Sequence, residues 1–62
     1  MRVQGKAIGA GDILITPRGE RLRVDSFSPG AGVVWGHEVN REGVRISDKL
    51  MEGPAASLRW PT

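Results

Sequence analysis

Apolar and polar residues alternate most regularly between Glu20 and Phe27, where Leu22 and Val24 take one parity and Arg21, Arg23 and Asp25 the other. A period of two marks a β-strand with one covered face. Phe27 falls on the polar parity, which leaves two readings: a bulge near Asp25-Ser26 returns the ring to the core, or the ring is exposed on a recognition face. Upstream, Asp12 to Thr16 gathers β-branched residues and leucine in a run of strand length. Thr16-Pro17-Arg18-Gly19 then supplies a turn, because proline presets φ and glycine accepts positive φ.

Downstream, Ser28-Pro29-Gly30-Ala31-Gly32 reads as a loop and Val33 to Val39 as a strand interrupted by Gly36. Val33 and Trp35 share the parity expected to face inward, and Val34 the opposite one. Asn40-Arg41-Glu42-Gly43 predicts a tight hairpin turn, from which Val44 to Ser47 runs back with Val44 and Ile46 inward. Ser47-Asp48 is expected to cap one short helical or 3₁₀ turn over Lys49 to Glu52, placing Leu50 and Met51 on the core. The last strand is Ala56 to Trp60, with Ala56, Leu58 and Trp60 on one parity.

The predicted fold class is therefore all-β: five short strands with a 3₁₀ or helical turn before the last, preceded by a glycine-rich lead-in. Residues 1–10 form that lead-in, 11–60 a single small barrel domain and 61–62 its end. Nine glycines and four prolines leave little room for a long helix. No internal repeat or second domain is visible.

Gly11-Asp12-Ile13-Leu14-Ile15, a turn, and Arg21-Leu22-Arg23-Val24 resemble the opening of Src-homology-3-like (SH3-like) small barrels of the KOW and Tudor-like bacterial kinds. The resemblance covers about residues 11–60 and implies a five-stranded small barrel acting in binding. A second resemblance is to the plasmid-borne, trimethoprim-insensitive dihydrofolate reductases, tiny barrels that share one pore-shaped site among subunits. Val44-Arg45-Ile46-Ser47 looks like their Val-Gln-Ile-Tyr segment, but Arg45 and Ser47 stand where that family has glutamine and tyrosine.

Length changes the functional picture. A chain of 62 residues buries only about 60% of its unfolded surface, which excludes Rossmann units, hydrolase sheets and (β/α)₈ barrels. Within one chain no catalysis is expected: Ser26, Ser28, Ser47 and Ser57 lack an activating elbow motif. The absence of cysteine removes disulfides and thiolate metal sites, and His37 beside Glu38 is too few ligands for zinc. Gly30-Ala31-Gly32-Val33-Val34-Trp35-Gly36 lacks the Lys-Ser/Thr of a phosphate loop and precedes a strand. No cofactor and no metal are expected.

Charge points to partners instead. Nine basic against seven acidic residues give a net charge of +2. Residues 1–25 hold five cations (Arg2, Lys6, Arg18, Arg21, Arg23) against three anions (Asp12, Glu20, Asp25), whereas the remainder is balanced at four and four. Arg21 and Arg23 stand about 7 Å apart along one strand face, similar to successive phosphates on a nucleic-acid strand, and arginine adds bidentate and stacking contacts. The same alternation also arises on any solvated sheet face.

Trp35 and Trp60 either close the core or offer a stacking platform. The candidate partner-binding set is Arg18, Arg21, Arg23, Phe27 and Trp35, with nucleic acid expected ahead of another protein. A protein adaptor or self-assembling homo-oligomer is the alternative, and the shared-site reductase a remote one. The longest apolar runs are three residues, Ile13 to Ile15 and Val33 to Trp35, so no membrane partner is expected and a cytoplasmic location fits.

Overall fold

The computed structural model describes Met1–Thr62. The chain forms six strands: β1 (Arg2–Val3), β2 (Lys6–Ala7), β3 (Ile13–Ile15), β4 (Arg21–Ser28), β5 (Val33–Val39) and β6 (Arg45–Pro54). β1 and β2 make a two-stranded antiparallel sheet; β3-β4-β5-β6 make a four-stranded antiparallel sheet in chain order. The four-stranded sheet does not close on itself, so β6 is a free edge, while β3 gains one bridge from Ile15 to Arg59.

The first ten residues are more than a lead-in. Val3 pairs with Lys6 across Gln4 (φ 48) and Gly5 (φ 78), the two positive-φ positions of a type I′ hairpin. This hairpin delivers Val3 and Ile8 to the core. There they meet Leu14, Leu22, Val24, Val34 and Leu58, with Met1, Phe27, Met51, Ala55 and Trp60 packed around them.

The turns form where their chemistry places them. Gly19, at φ +85, donates its N–H to the Thr16 carbonyl at 2.9 Å. Thr16 is buried, and its hydroxyl both donates to Glu20 Oε1 (3.1 Å) and accepts from the Glu20 N–H (3.2 Å). In the β5–β6 turn, Asn40 Oδ1 accepts from the N–H groups of Glu42 (3.0 Å) and Val44 (2.9 Å). Gly43 closes that turn at φ +82.

A bulge breaks the β4–β5 register between Val24 and Ser26, and Phe27, opposite Val34, packs against the core. β5 then runs opposite to the parity read from its sequence: Val34 is fully buried, whereas Val33 and Trp35 are half-buried. The cause is Gly36, the buried partner of Val24. A Cβ at position 36 would stand 1.9 Å from the Arg23 carbonyl oxygen. The inward position is thus held by a residue with no side chain, and Trp35, one residue away, faces out.

β6 overturns three further expectations. No helical turn covers Lys49–Glu52, because the whole of Arg45–Pro54 is strand. Val44 and Ile46 do not face inward, and Leu50 does not reach the core; these are the large hydrophobics left exposed, at 58%, 54% and 56%. The register explains it. Val39 pairs with Arg45 and His37 with Leu50, so five steps along β6 match two along β5 and Ile46 lies in the surplus; Leu50 pairs with His37 on the face away from the core, and Val44 sits in the turn ahead of the strand. Within that arm Ser47 accepts from Arg45 Nε through its carbonyl and from the Lys49 N–H through its hydroxyl, both at 3.1 Å.

The single 3₁₀ turn lies later, at Ala55–Ser57, and its Leu58 N–H bonds the Ala55 carbonyl at 3.2 Å. It replaces the first half of the expected last strand and leaves Ala56 exposed. Beyond it Leu58 is buried, and Arg59 exchanges two backbone bonds with Ile15, at 2.7 and 3.1 Å.

Candidate binding face and cleft

Directly paired residues of antiparallel strands share a face, so the registers show which candidates meet. One row runs Ile13, Arg23, His37, Leu50; the next runs Ser26, Trp35, Glu52. Both lie on the face away from the core, with Arg23 and Trp35 in neighbouring rows. His37 Nδ1 sits 2.6 Å from Asp25 Oδ2, and Trp35 Nε1 donates to Glu52 Oε2 at 2.9 Å. Asp25 is the bulged residue, so the same irregularity that sends Phe27 inward carries the carboxylate to the imidazole.

The other candidates are placed apart. Phe27 belongs to the core-facing side. Arg18 is exposed in the Thr16–Glu20 turn and borders an open groove of about 510 Å³ between that turn and Met51–Pro54. The charges of this groove are mixed, Arg18 and Lys49 against Glu20, Glu38 and Glu52.

Arg21 lies in a third row: Arg59, Ile15, Arg21, Val39, Arg45. Ile15 and Val39 are buried outside the main apolar cluster, flanking Arg21 on either side. Arg21 itself is half-buried between them. Arg21 and Arg59 also line a cleft of about 380 Å³ with Ile15, Gly19, Trp60 and the two residues that follow it, and no acidic side chain lines it. Trp60 is held in place by Nε1 donating to the Val3 carbonyl at 2.9 Å, and Lys6 Nζ stands 4.5 Å from the centre of its ring.

The acids of this chain are mostly engaged by groups other than Lys or Arg. Asp12 accepts from the Gly9 N–H at 2.8 Å, Glu20 from the Thr16 hydroxyl, Asp25 contacts His37 and Glu52 takes the Trp35 indole. Arg45 with Asp48, at 3.6 Å, is the one ion pair involving a lysine or arginine, which leaves eight of the nine such cations unpaired.

Sequence reasoning missed Arg59 and the carboxylate partners of His37 and Trp35. Arg59 carries no local signal, because its place beside Arg21 depends on the 3₁₀ turn that brings the chain back to Ile15. The His37–Asp25 contact depends on a bulge the sequence did suggest. No helix of the chain is long and apolar enough to cross a membrane. Searches of protein-family models, curated proteins and solved structures found no match to this chain.

Proposed function

We propose that this chain is a non-catalytic binding module, a variant of the Src-homology-3-like small barrel whose core-distal sheet face takes a nucleic-acid strand. The observation that carries this reading is the set of unpaired cations. Arg21 and Arg23 stand in adjacent rows of one face, free of carboxylate partners, while the acids nearby are engaged by His37 and Trp35. Guanidinium groups hold phosphate oxygens bidentately, and the half-buried Trp35 offers an aromatic surface for a base. Arg18, in the adjoining turn, adds charge at the margin.

A salt titration with a short single strand tests this. Three neutralised phosphates give a log-affinity against log-salt slope of about −2. Arg23→Gln is expected to flatten the slope by about 0.7, and Trp35→Ala to weaken binding with the slope unchanged. A flat titration, or no binding at low salt, overturns the reading.

The exposed Val44, Ile46 and Leu50 on and beside a free edge strand favour a second reading, self-association through β6. Sedimentation over a wide concentration range decides it: a monomer throughout excludes self-association.

A further inference from the structure

We propose that the cleft between Arg21 and Arg59 binds a phosphomonoester, the terminal phosphate of a nucleic-acid strand, whose chain then lies on the face described above. The strand is taken from the proposed function; the phosphate site stands on the geometry of the cleft. Arg21 and Arg59 are the two cross-strand neighbours of Ile15. Their backbones are therefore two strand spacings apart, about 10 Å, a gap two arginine side chains span between them. Neither guanidinium has a carboxylate partner.

Charge selects the ligand. The cleft is lined by two guanidinium side chains and no acidic side chain, and the Lys6 ammonium stands over the Trp60 ring. A phosphomonoester carries about −1.5 to −2 at neutral pH, against −1 for each phosphodiester of a strand interior. A group within reach of both guanidiniums is thus favoured at the strand end over the strand interior. Ile15 and Trp60 supply the apolar contacts beside the two arginines. Trp60 is held by its bond to the Val3 carbonyl, so that side of the cleft is set before the ligand arrives.

The groove of about 510 Å³ lacks this character, since three glutamates face two cations there. The row's third arginine, Arg45, is already paired with Asp48.

The test uses one oligonucleotide in three forms: 5′-phosphorylated, 3′-phosphorylated and with hydroxyls at both ends. At least one phosphorylated form is expected to bind about tenfold tighter than the hydroxyl form, as one added charge-assisted contact provides. Arg59→Gln and Arg21→Gln should each bring that ratio close to one. Arg41→Gln, in the exposed β5–β6 turn, removes the same charge elsewhere and should leave the ratio intact. Thermal unfolding of each variant separates loss of fold from loss of the site.

Equal binding of all three forms overturns the phosphate site while leaving the face reading standing. So does a ratio that survives Arg59→Gln in the folded variant. If no oligonucleotide binds, the face reading falls, and inorganic phosphate decides the cleft by itself. Selective shifts of the Arg21 and Arg59 Nε–H resonances support a phosphate site, and unchanged resonances overturn it.

Discussion

Strands β4 and β6 carry comparable numbers of apolar residues, yet only β4 spends them on the core. Leu22 and Val24 are buried and Phe27 packs against the core, whereas of Ile46, Leu50 and Met51 only Met51 touches the apolar cluster. The two regions differ in pairing. β4 is hydrogen-bonded on both sides, to β3 and to β5, so its side-chain parity is fixed twice. β6 has β5 on one side and nothing on the other, and its three surplus residues have no partner to set their direction. Apolar content alone does not determine burial; a period-two pattern is realised only where neighbours hold it.

The sharpest way to break this contrast is at Gly36, where β5 leaves no room for a side chain against β4. Gly36→Ala places a methyl group 1.9 Å from the Arg23 carbonyl oxygen, a backbone atom that cannot move without opening the β4–β5 ladder. The expected loss is about 3 kcal/mol or more. A domain of this size holds roughly 3–9 kcal/mol in total, so urea denaturation should show a much reduced or absent transition. Gly30→Ala, where a Cβ meets nothing within 4 Å and φ is not positive, is the matched control and should be near neutral. A tolerated alanine at position 36 would mean the strands are not locked there.

Next in size is Leu58→Ala. This side chain is 1% exposed and closes the core from the segment after the 3₁₀ turn, with its Cδ2 at 3.3 Å from where a Cβ on Gly53 would stand. Truncation leaves a cavity and is expected to cost about 2–5 kcal/mol, seen as a lower denaturation midpoint. A small loss would show that the C-terminal segment is loosely docked and that the closed half of the contrast ends before it.

The same contrast explains how much of the molecule was legible. The alternation of β4, the turns at Thr16–Gly19 and Asn40–Gly43 and the bulge after Val24 rest on local chemistry, which a sequence displays directly. The inverted parity of β5 rests on a carbonyl contributed by another strand, and nothing in Val33-Val34-Trp35-Gly36 reports it. The first hairpin was hidden because Gln4, rather than asparagine or glycine, takes the first left-handed position. Of the candidate site, Arg21 and Arg23 were readable from their period. Their company was not: Arg59 arrives through a single bridge, and His37, Asp25, Trp35 and Glu52 meet only once the registers are known.

The smallest expected effects lie on the exposed arm. Ile46→Ser and Leu50→Ser replace side chains that are already 54% and 56% exposed and belong to no apolar cluster. Each should therefore shift stability by no more than about 0.5 kcal/mol, against several for Leu58→Ala. The two readings of β6 separate here by mass action. If the arm is simply solvated, the denaturation midpoint of the parent protein is independent of its concentration and the serine variants match it. If copies of the chain cover one another through β6, the parent midpoint rises with concentration. The serine variants then lose that rise while keeping the midpoint of the dilute protein. A loss above 1 kcal/mol in the dilute serine variants would place Ile46 or Leu50 in intramolecular packing and remove the distinction between the two strands.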